Sequence, residues 1–129
     1  MQGPPSQLRR GGGLTRQSSG AWGEDLALRY LTHHGYTLVE RNYRTRYGEI
    51  DLILLKDGTL VFVEVKLRRG TGFGDPTEAV TSRKQRTLRS LATQYLSDRD
   101  PNFAALRFDV IGILAHDNKV RIRHVEDAF

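Results

Sequence analysis

The sequence predicts an α/β protein in which helices flank a mixed central β-sheet, with the element order αβββαββ. Three observations lead to this prediction. Two segments carry apolar residues at helical spacing, and five short segments are rich in the β-branched, aromatic and aliphatic residues of strands. The dipeptide Asp57-Gly58 separates two of these strands and is typical of a tight hairpin, because both turn positions require a positive φ.

The predicted elements follow one another closely along the chain. A first helix is predicted over residues 21–34, and Gly35 is suited to end it. Strands are predicted over residues 36–43, 48–55, 60–67, 106–115 and 120–125. Residues 70–74 form a glycine-rich loop. The second helix is predicted to begin at Asp75-Pro76, since aspartate caps a helix and proline fits its first turn, and to end before Asp100-Pro101.

Composition excludes several kinds of chemistry. The 129 residues contain no cysteine, which rules out disulfides, a thiol nucleophile and a cysteine-ligated metal. Lysine and arginine number 20 against 15 acids, and the net charge of +5 favours an anionic partner, nucleic acid first. No apolar run reaches the roughly 20 residues that span a bilayer, and nothing resembles a signal peptide. We therefore expect no membrane partner and a cytoplasmic location.

The first 20 residues are predicted to form a flexible, basic, glycine-rich arm. They contain five glycines, two prolines, three arginines and no acid, so they cannot bury enough apolar surface to fold. Three of the five net charges belong to this arm, which leaves +2 for a single domain over residues 21–129. The arm is either a non-specific phosphate contact or an extension without function.

Acidic residues in the second and third strands are predicted to face each other. A two-residue loop at Asp57-Gly58 places Asp51 opposite Glu64 and Glu49 opposite Lys66, all on one face. Opposed acids at roughly 5 Å destabilise a sheet. A shared proton with one raised pKa would offset this cost, and a divalent cation bound by the carboxylates would do so more naturally.

Such a site suits phosphodiester hydrolysis. Asp51 and Glu64 are candidate ligands of Mg²⁺ or Mn²⁺, Glu49 is a further one, and Lys66 brings a positive charge to an anionic substrate. The alternative is a solvated strand face with a surface acid beside it. The apolar run at residues 60–63 argues against that alternative, because it indicates a strand buried on both faces.

These residues carry a resemblance to known proteins. Asp51 followed by Glu64-Val65-Lys66 resembles the PD-(D/E)xK nuclease signature, with Ile50 in the proline position. Over residues 21–126 the chain more closely resembles the YraN family of small bacterial proteins. The matching stretches are Gly23-Glu24-Asp25-Leu26-Ala27, Gly48-Glu49-Ile50-Asp51-Leu52-Ile53, Val61-Phe62-Val63-Glu64-Val65-Lys66, Lys84-Gln85 and Arg107-Phe108-Asp109-Val110.

The resemblance implies a fold like that of restriction endonucleases and archaeal Holliday-junction resolvases, and a metal-dependent endonuclease acting on DNA, branched DNA included. It makes Asp51 and Glu64 metal ligands, Lys66 the catalytic lysine and Glu24 an additional ligand from the first helix. Gln85 takes the place of a polar catalytic residue on the second helix. A homodimer would match the two-fold symmetry of branched DNA, and a monomer of this size is equally compatible.

Basic residues near the predicted site are candidates for DNA binding. They are Arg68, Arg69, Arg83, Lys84, Arg86 and Arg89. Arg86 and Arg89 are three residues apart and are predicted to follow a phosphate backbone from one side of the helix. Lys84 falls on the inner stripe of that helix, so it and Gln85 are predicted to face the acids. Their alternative role is a solvated helix face, and the glycine-rich loop is either a substrate contact or a connector.

Two alternatives to a nuclease remain open at this stage. One is a nucleic-acid-binding module that keeps the fold without cleaving, and the other is an accessory interaction protein whose acid pair is structural. Asp109 interrupts an apolar strand, and we interpret it as a buried polar contact rather than as part of the site.

Overall fold

A five-stranded sheet with one α-helix on each face forms the described part of the chain. The computed structural model describes residues 16–70 and 74–129. Its elements are α1 (Arg16–His33), β1 (Thr37–Thr45), β2 (Gly48–Lys56), β3 (Thr59–Arg69), a 3₁₀ helix (Pro76–Ala79), α2 (Ser82–Arg99), β4 (Ala105–His116) and β5 (Lys119–Val125). The predicted order αβββαββ is confirmed. Residues 1–15 of the predicted arm and 71–73 of the predicted loop lie outside the described residues.

The sheet is mixed, as predicted. Its strand order is β1-β2-β3-β4-β5, with β3 and β4 parallel and every other neighbouring pair antiparallel. The parallel pair needs a crossover, and α2 supplies it. This topology brings the β1–β2 turn, the carboxyl ends of β3 and β4, and the N-terminal ends of both helices to the same end of the sheet.

Both faces of β3 are buried, which confirms the interpretation of the apolar run at residues 60–63. Val61 and Val63 pack with Ala27 and Leu31 of α1. On the opposite face, the alternate residues of the run pack against α2 in a core that includes Leu60, Phe62, Leu88, Leu91 and Tyr95. The alternation of side chains along a strand places these two sets on opposite faces. The central strand is thus held from both sides.

Two turns set the register of the antiparallel strands. Asp57 and Gly58 have φ values of 49° and 80°, and Asp117 and Asn118 repeat this geometry at 50° and 61°. The predicted pairing of β2 with β3 is confirmed from Lys56–Thr59 to Leu52–Val63, where the ladder ends. The predicted pairs beyond that point, Asp51 with Glu64 and Glu49 with Lys66, are wrong.

The second predicted helix is in fact two helices. Asp75 does cap the first, since its Oδ1 accepts from the Thr77 N–H at 3.0 Å. That 3₁₀ helix ends at Val80, which is extended. Thr81 then starts α2, because its hydroxyl accepts from the Lys84 N–H at 3.2 Å. A second capping residue therefore interrupts what the apolar pattern predicted as one helix.

The first helix begins earlier than predicted. It starts at Arg16 instead of residue 21, so the predicted arm boundary at residue 20 falls within α1. Adding residues to an existing helix needs no new nucleation, and Gly20 lowers helix propensity without ending the helix.

Candidate metal centre and its surroundings

Strand β2 loses its regular alternation at Asp51. Ile50 and Ile53 both belong to the core on the α2 side, whereas Leu52 belongs to the core on the α1 side. On β1, the residue between the partners of Leu52 and Ile50 is Asn42, and its φ is 57°. Both strands are therefore irregular at the same level of the sheet.

The side chain of Asp51 occupies the place where β2 and β3 separate. Its Oδ2 accepts from the main-chain N–H of Val65 at 2.8 Å. This bond replaces the ladder hydrogen bonds that end at Leu52–Val63. The prediction of paired acids fails for this reason, since it assumed an uninterrupted ladder past Asp51.

Three carboxylates converge at this irregularity. Glu24 from α1 and Glu49 and Asp51 from β2 each offer an oxygen, and these oxygens lie within 4.8 Å of one another. Glu24 reaches the strands because the N-terminal half of α1 packs beside β3, where a Cβ at Gly23 would lie 3.5 Å from Leu67 Cβ. Three of the four predicted metal ligands therefore come together from two elements.

Polar residues of β1, which were not among the predicted site residues, hold these acids in place. The Asn42 amide donates to Glu24 Oε1 at 3.0 Å and to Glu49 Oε2 at 2.6 Å. Arg41 donates to Glu24 Oε1 at 3.3 Å, and Arg44 donates to Glu49 Oε1 at 2.7 Å. The sequence did contain one indication of their role, an asparagine within a predicted strand. Asparagine is rare in strands and tolerates a positive φ.

The electrostatics of the acids favour a bound cation. Burial of Asp51 and, next, the negative charge of Glu64 raise the pKa of the Asp51 carboxyl to about 8, against the lowering effect of the Val65 hydrogen bond. Without a cation, burial and the neighbouring negative charge therefore favour the protonated form of this carboxyl. Hard divalent cations bind carboxylate oxygens, so the donor set of Glu24, Glu49 and Asp51 fits Mg²⁺ or Mn²⁺.

Glu64, the fourth predicted ligand, lies outside the three-acid cluster. Its side chain is 6% exposed, and its Oε2 lies 3.5 Å from Lys66 Nζ and 3.6 Å from Lys84 Nζ. Lys84 reaches this acid from α2, as its position on the inner stripe predicts. The structure thus places two ammonium groups beside a buried carboxylate whose negative charge acts on Asp51.

Gln85 is engaged elsewhere. Its Nε2 donates to the carbonyl of Val80 at 3.1 Å, across the junction between the 3₁₀ helix and α2. The amide therefore satisfies a main-chain acceptor at the junction between the two helices, and its catalytic role stays a prediction.

The predicted DNA-binding arginines have different neighbours. Arg68 is exposed near the end of β3, and the Arg69 guanidinium lies 5.7 Å from the centre of the Trp22 ring. Arg83 and Arg86 line a groove between α2 and the β1–β2 turn. The Arg89 guanidinium lies 5.6 Å from the centre of the Phe129 ring, and its role beside Arg86 in binding a phosphate backbone stays a prediction.

Asp109 is a buried polar contact, as interpreted from the sequence. It is fully buried, and it accepts hydrogen bonds from Arg107 Nε at 2.8 Å and from the Asp127 N–H at 3.0 Å. Its Oδ2 lies 2.7 Å from His124 Nε2. These contacts tie the end of β5 to β4 and leave Asp109 outside the acid cluster.

Comparison with known proteins identifies the family. The family model described as "Uncharacterised protein family UPF0102" matches residues 23–113. This chain belongs to the UPF0102 family. The resemblance to YraN is thereby confirmed, and the UPF0102 match contains every candidate site residue from Glu24 to Arg89.

Similar proteins occur in several other organisms. A UPF0102 protein of Rhodococcus jostii is 54% identical over 111 residues, covering 85% of this chain and 94% of its own length. A UPF0102 protein of Syntrophomonas wolfei is 51% identical, covering 85% of this chain and 96% of its own. One of Bifidobacterium longum is 44% identical, with coverages of 90% and 96%. Among the described residues of this UPF0102 protein, no helix is long and apolar enough to cross a membrane.

Proposed function

We propose that this protein is a metal-dependent endonuclease that hydrolyses phosphodiester bonds in DNA, including branched or otherwise structured DNA. The observation that carries the proposal is the convergence of Glu24, Glu49 and Asp51 within 4.8 Å. A lysine stands close to this cluster, since Lys66 lies 3.5 Å from Glu64, the acid whose charge acts on Asp51. Carboxylates that bind a hard cation, next to an ammonium group, suit attack on a phosphodiester.

In this proposal Glu24, Glu49 and Asp51 hold Mg²⁺ or Mn²⁺, and Glu64 is the fourth ligand. When bound, the cation lowers the pKa of a water molecule and offsets negative charge that develops on the phosphate. Asn42 donates to Glu24 and Glu49 and fixes the directions of their carboxylates. Such hydrogen bonds contribute to metal affinity because they orient the carboxylates that bind the cation.

Lys66 acts on the substrate. Its ammonium is partly exposed and can donate to a non-bridging phosphate oxygen or orient the attacking water. The water oxygen loses a proton to solvent and forms a bond to phosphorus, while the bond from phosphorus to the leaving sugar oxygen breaks and that oxygen takes up a proton from solvent. Lys84 shares Glu64 with Lys66 and is proposed to position that carboxylate. Gln85 is assigned to the helix junction, because Val80 already engages its amide.

A DNA substrate implies a cytoplasmic location and leaves room for a homodimer, which would present two sites to a two-fold symmetric junction. Sedimentation of the protein with and without four-way DNA tests the dimer.

Cleavage of defined DNA tests the proposal. The protein is incubated with Mn²⁺ and linear, nicked or four-way DNA, beside Asp51→Asn, Glu64→Ala and Lys66→Ala. We expect metal-dependent cleavage that each variant lowers by about 100-fold or more. Glu126→Gln is the matched control, since Glu126 is an exposed acid at the far end of β5. DNA binding without cleavage on any substrate would instead favour the non-catalytic module.

A further inference from the structure

A basic groove lies beside the acid cluster. It has a volume of about 490 Å³ and runs between α2 and the β1–β2 turn. Arg83, Arg86 and Tyr47 line it, together with the hydroxyl residues Thr87 and Ser90. Its size is within the range of roughly 300–1,000 Å³ of small-ligand sites. No acidic side chain of the described residues lines it.

Tyr47 is exposed at the tip of the turn. Its side chain is 66% exposed, although large aromatic residues usually contribute to a core. The Arg46 guanidinium lies 4.9 Å from the ring centre and donates to the tyrosine hydroxyl at 2.7 Å. The ring is therefore held by a neighbouring cation at the surface instead of packing into the protein.

The arginines of the groove are available for an anionic ligand. Within residues 16–70 and 74–129, neither Arg83 nor Arg86 forms an ion pair with a carboxylate. Both are exposed near the start of α2. Arginine binds phosphate oxygens through a planar fork of donors, so two such residues in one groove favour a phosphate-bearing ligand.

Each wall of the groove contains a residue that is close in sequence to a residue of the candidate site. On one wall Tyr47 is two residues from Glu49, and the turn packs directly on α2, since a Cβ at Gly48 would lie 3.4 Å from Leu91 Cδ1. On the other wall Arg83 precedes Lys84, whose Nζ lies 3.6 Å from Glu64. The groove and the candidate site therefore share two segments of the chain, the β1–β2 hairpin and the start of α2.

We propose that this groove binds unpaired nucleotides of a DNA strand, with Tyr47 stacking on a base and Arg83 and Arg86 binding the adjoining phosphates. Aromatic rings combined with a basic groove bind single strands without sequence preference, because every base has a face to stack. Base faces inside a duplex are covered by their neighbours, whereas ends, gaps and junctions expose them. The inference rests on the proposed function for the identity of the nucleic acid.

Binding measured without cleavage separates the two proposals. Fluorescence anisotropy in EDTA compares blunt duplex DNA with the same duplex carrying a single-stranded arm. We expect Tyr47→Ala to weaken binding of the armed DNA about tenfold and to leave blunt duplex binding unchanged. Tyr47→Phe keeps the ring and is expected to bind like the wild type. Arg121→Ala removes an exposed arginine on β5 as the matched control.

The double variant Arg83→Ala/Arg86→Ala tests the binding of phosphates. We expect it to reduce the slope of log affinity against log salt for the armed DNA by about 1.4, at about 0.7 for each phosphate that is no longer neutralised. Equal affinity of wild type and Tyr47→Ala for the armed DNA would overturn the proposal, as would a loss in Tyr47→Phe as large as in Tyr47→Ala. Selective binding of the armed DNA without Mn²⁺-dependent cleavage would support the groove proposal and contradict the nuclease proposal. Mn²⁺-dependent cleavage together with unaltered binding of the armed DNA by Tyr47→Ala would support the nuclease proposal and contradict the groove proposal.

Discussion

The Asp51 carboxylate accepts a hydrogen bond from the Val65 N–H at 2.8 Å, two residues beyond Val63, the last residue of β3 that pairs with β2. A side chain here takes over the role of a strand carbonyl, so the N–H keeps a partner while β2 and β3 move apart. The same carboxyl group belongs to the three-acid cluster. Strand separation and the candidate metal centre therefore depend on one residue.

Metal binding should stabilise the folded protein. A cation that binds only the native state at about 100 times its Kd adds about 2.7 kcal/mol, or on the order of 10 °C in Tm. We expect Mn²⁺ to raise the Tm of the wild type and of Glu126→Gln, and Glu24→Gln, Glu49→Gln and Asp51→Asn to lose most of this rise. Differential scanning fluorimetry measures it, and an equal rise in all variants would contradict the assignment of ligands.

The metal-free protein should lose stability as pH rises. Because the folded pKa of Asp51 is raised from 3.8 to about 8, the native state keeps a proton that the unfolded chain releases. The Asp51 contribution therefore falls as pH rises between these two values. In EDTA, we expect the Tm of the wild type to decline more steeply between pH 5.5 and about 8 than that of Asp51→Asn. Parallel profiles would show that Asp51 is not the titrating group.

Lys66 and Lys84 should act jointly on Glu64. Either ammonium can compensate the buried carboxylate when the other is removed, since both lie within 3.6 Å of Oε2. We expect Lys66→Met or Lys84→Met alone to cost about 1 kcal/mol or less, and the double variant about 3–5 kcal/mol. Urea unfolding in EDTA measures these costs. Adding Glu64→Gln should restore stability to the double variant, and strictly additive losses would disprove the coupling.

Replacing Gln85 should affect stability more than cleavage. Loss of its bond to the Val80 carbonyl leaves a main-chain acceptor without a partner and should cost about 1 kcal/mol. Gln94→Ala, an exposed glutamine on the same helix, is the matched control for stability. We expect kcat of Gln85→Ala on DNA to stay within about twofold of the wild type. A large loss of kcat at unchanged stability would instead support a catalytic role for Gln85.

Asp109 should make the fold sensitive to acid. Burial acts to raise its pKa, but hydrogen bonds from His124, Arg107 and the Asp127 N–H outweigh burial and lower it below 3.8. The stabilisation is therefore complete above pH 3.8 and is lost as pH falls through the lower folded pKa. We expect Asp109→Asn to cost about 3 kcal/mol at pH 7 and to flatten the acid unfolding curve.

The matched control for this position is Asp127→Asn, because Asp127 is exposed and asparagine tolerates its φ of 53°. Its acid unfolding should follow that of the wild type. Equal acid profiles for wild type and Asp109→Asn would refute a lowered pKa at Asp109.

Much of the fold could be predicted because its turns constrain the backbone strongly. Asp57-Gly58 allows the positive φ of a tight hairpin, and from that loop the pairing follows by counting as far as Leu52–Val63. Counting fails at Asp51 because it assumes regular alternation. No local propensity marks the point where a side chain replaces a ladder bond.

The site was predictable only in part, for similar reasons. Glu24 lies far from Asp51 in sequence, and only the family resemblance linked the two. Asn42 contributes through a left-handed backbone that a strand pattern does not show. The break at Val80 arises because the Thr81 cap competes locally with continuation of the helix, while the apolar spacing is the same for one helix or two.

The alternation of side chains between the two faces of the sheet shifts by one residue between Ile50 and Ile53, and this shift has a consequence for engineering. Deleting Asp51 together with Asn42, which lies at the same level of β1, would keep these two strands in register, restore regular alternation and remove a half-buried acid. Such a sheet should melt at a higher temperature and bind no cation. A screen for stability without selection for activity would therefore enrich variants that lose the acid cluster. The positions of these variants would identify the residues that lower the stability of the sheet in the native protein.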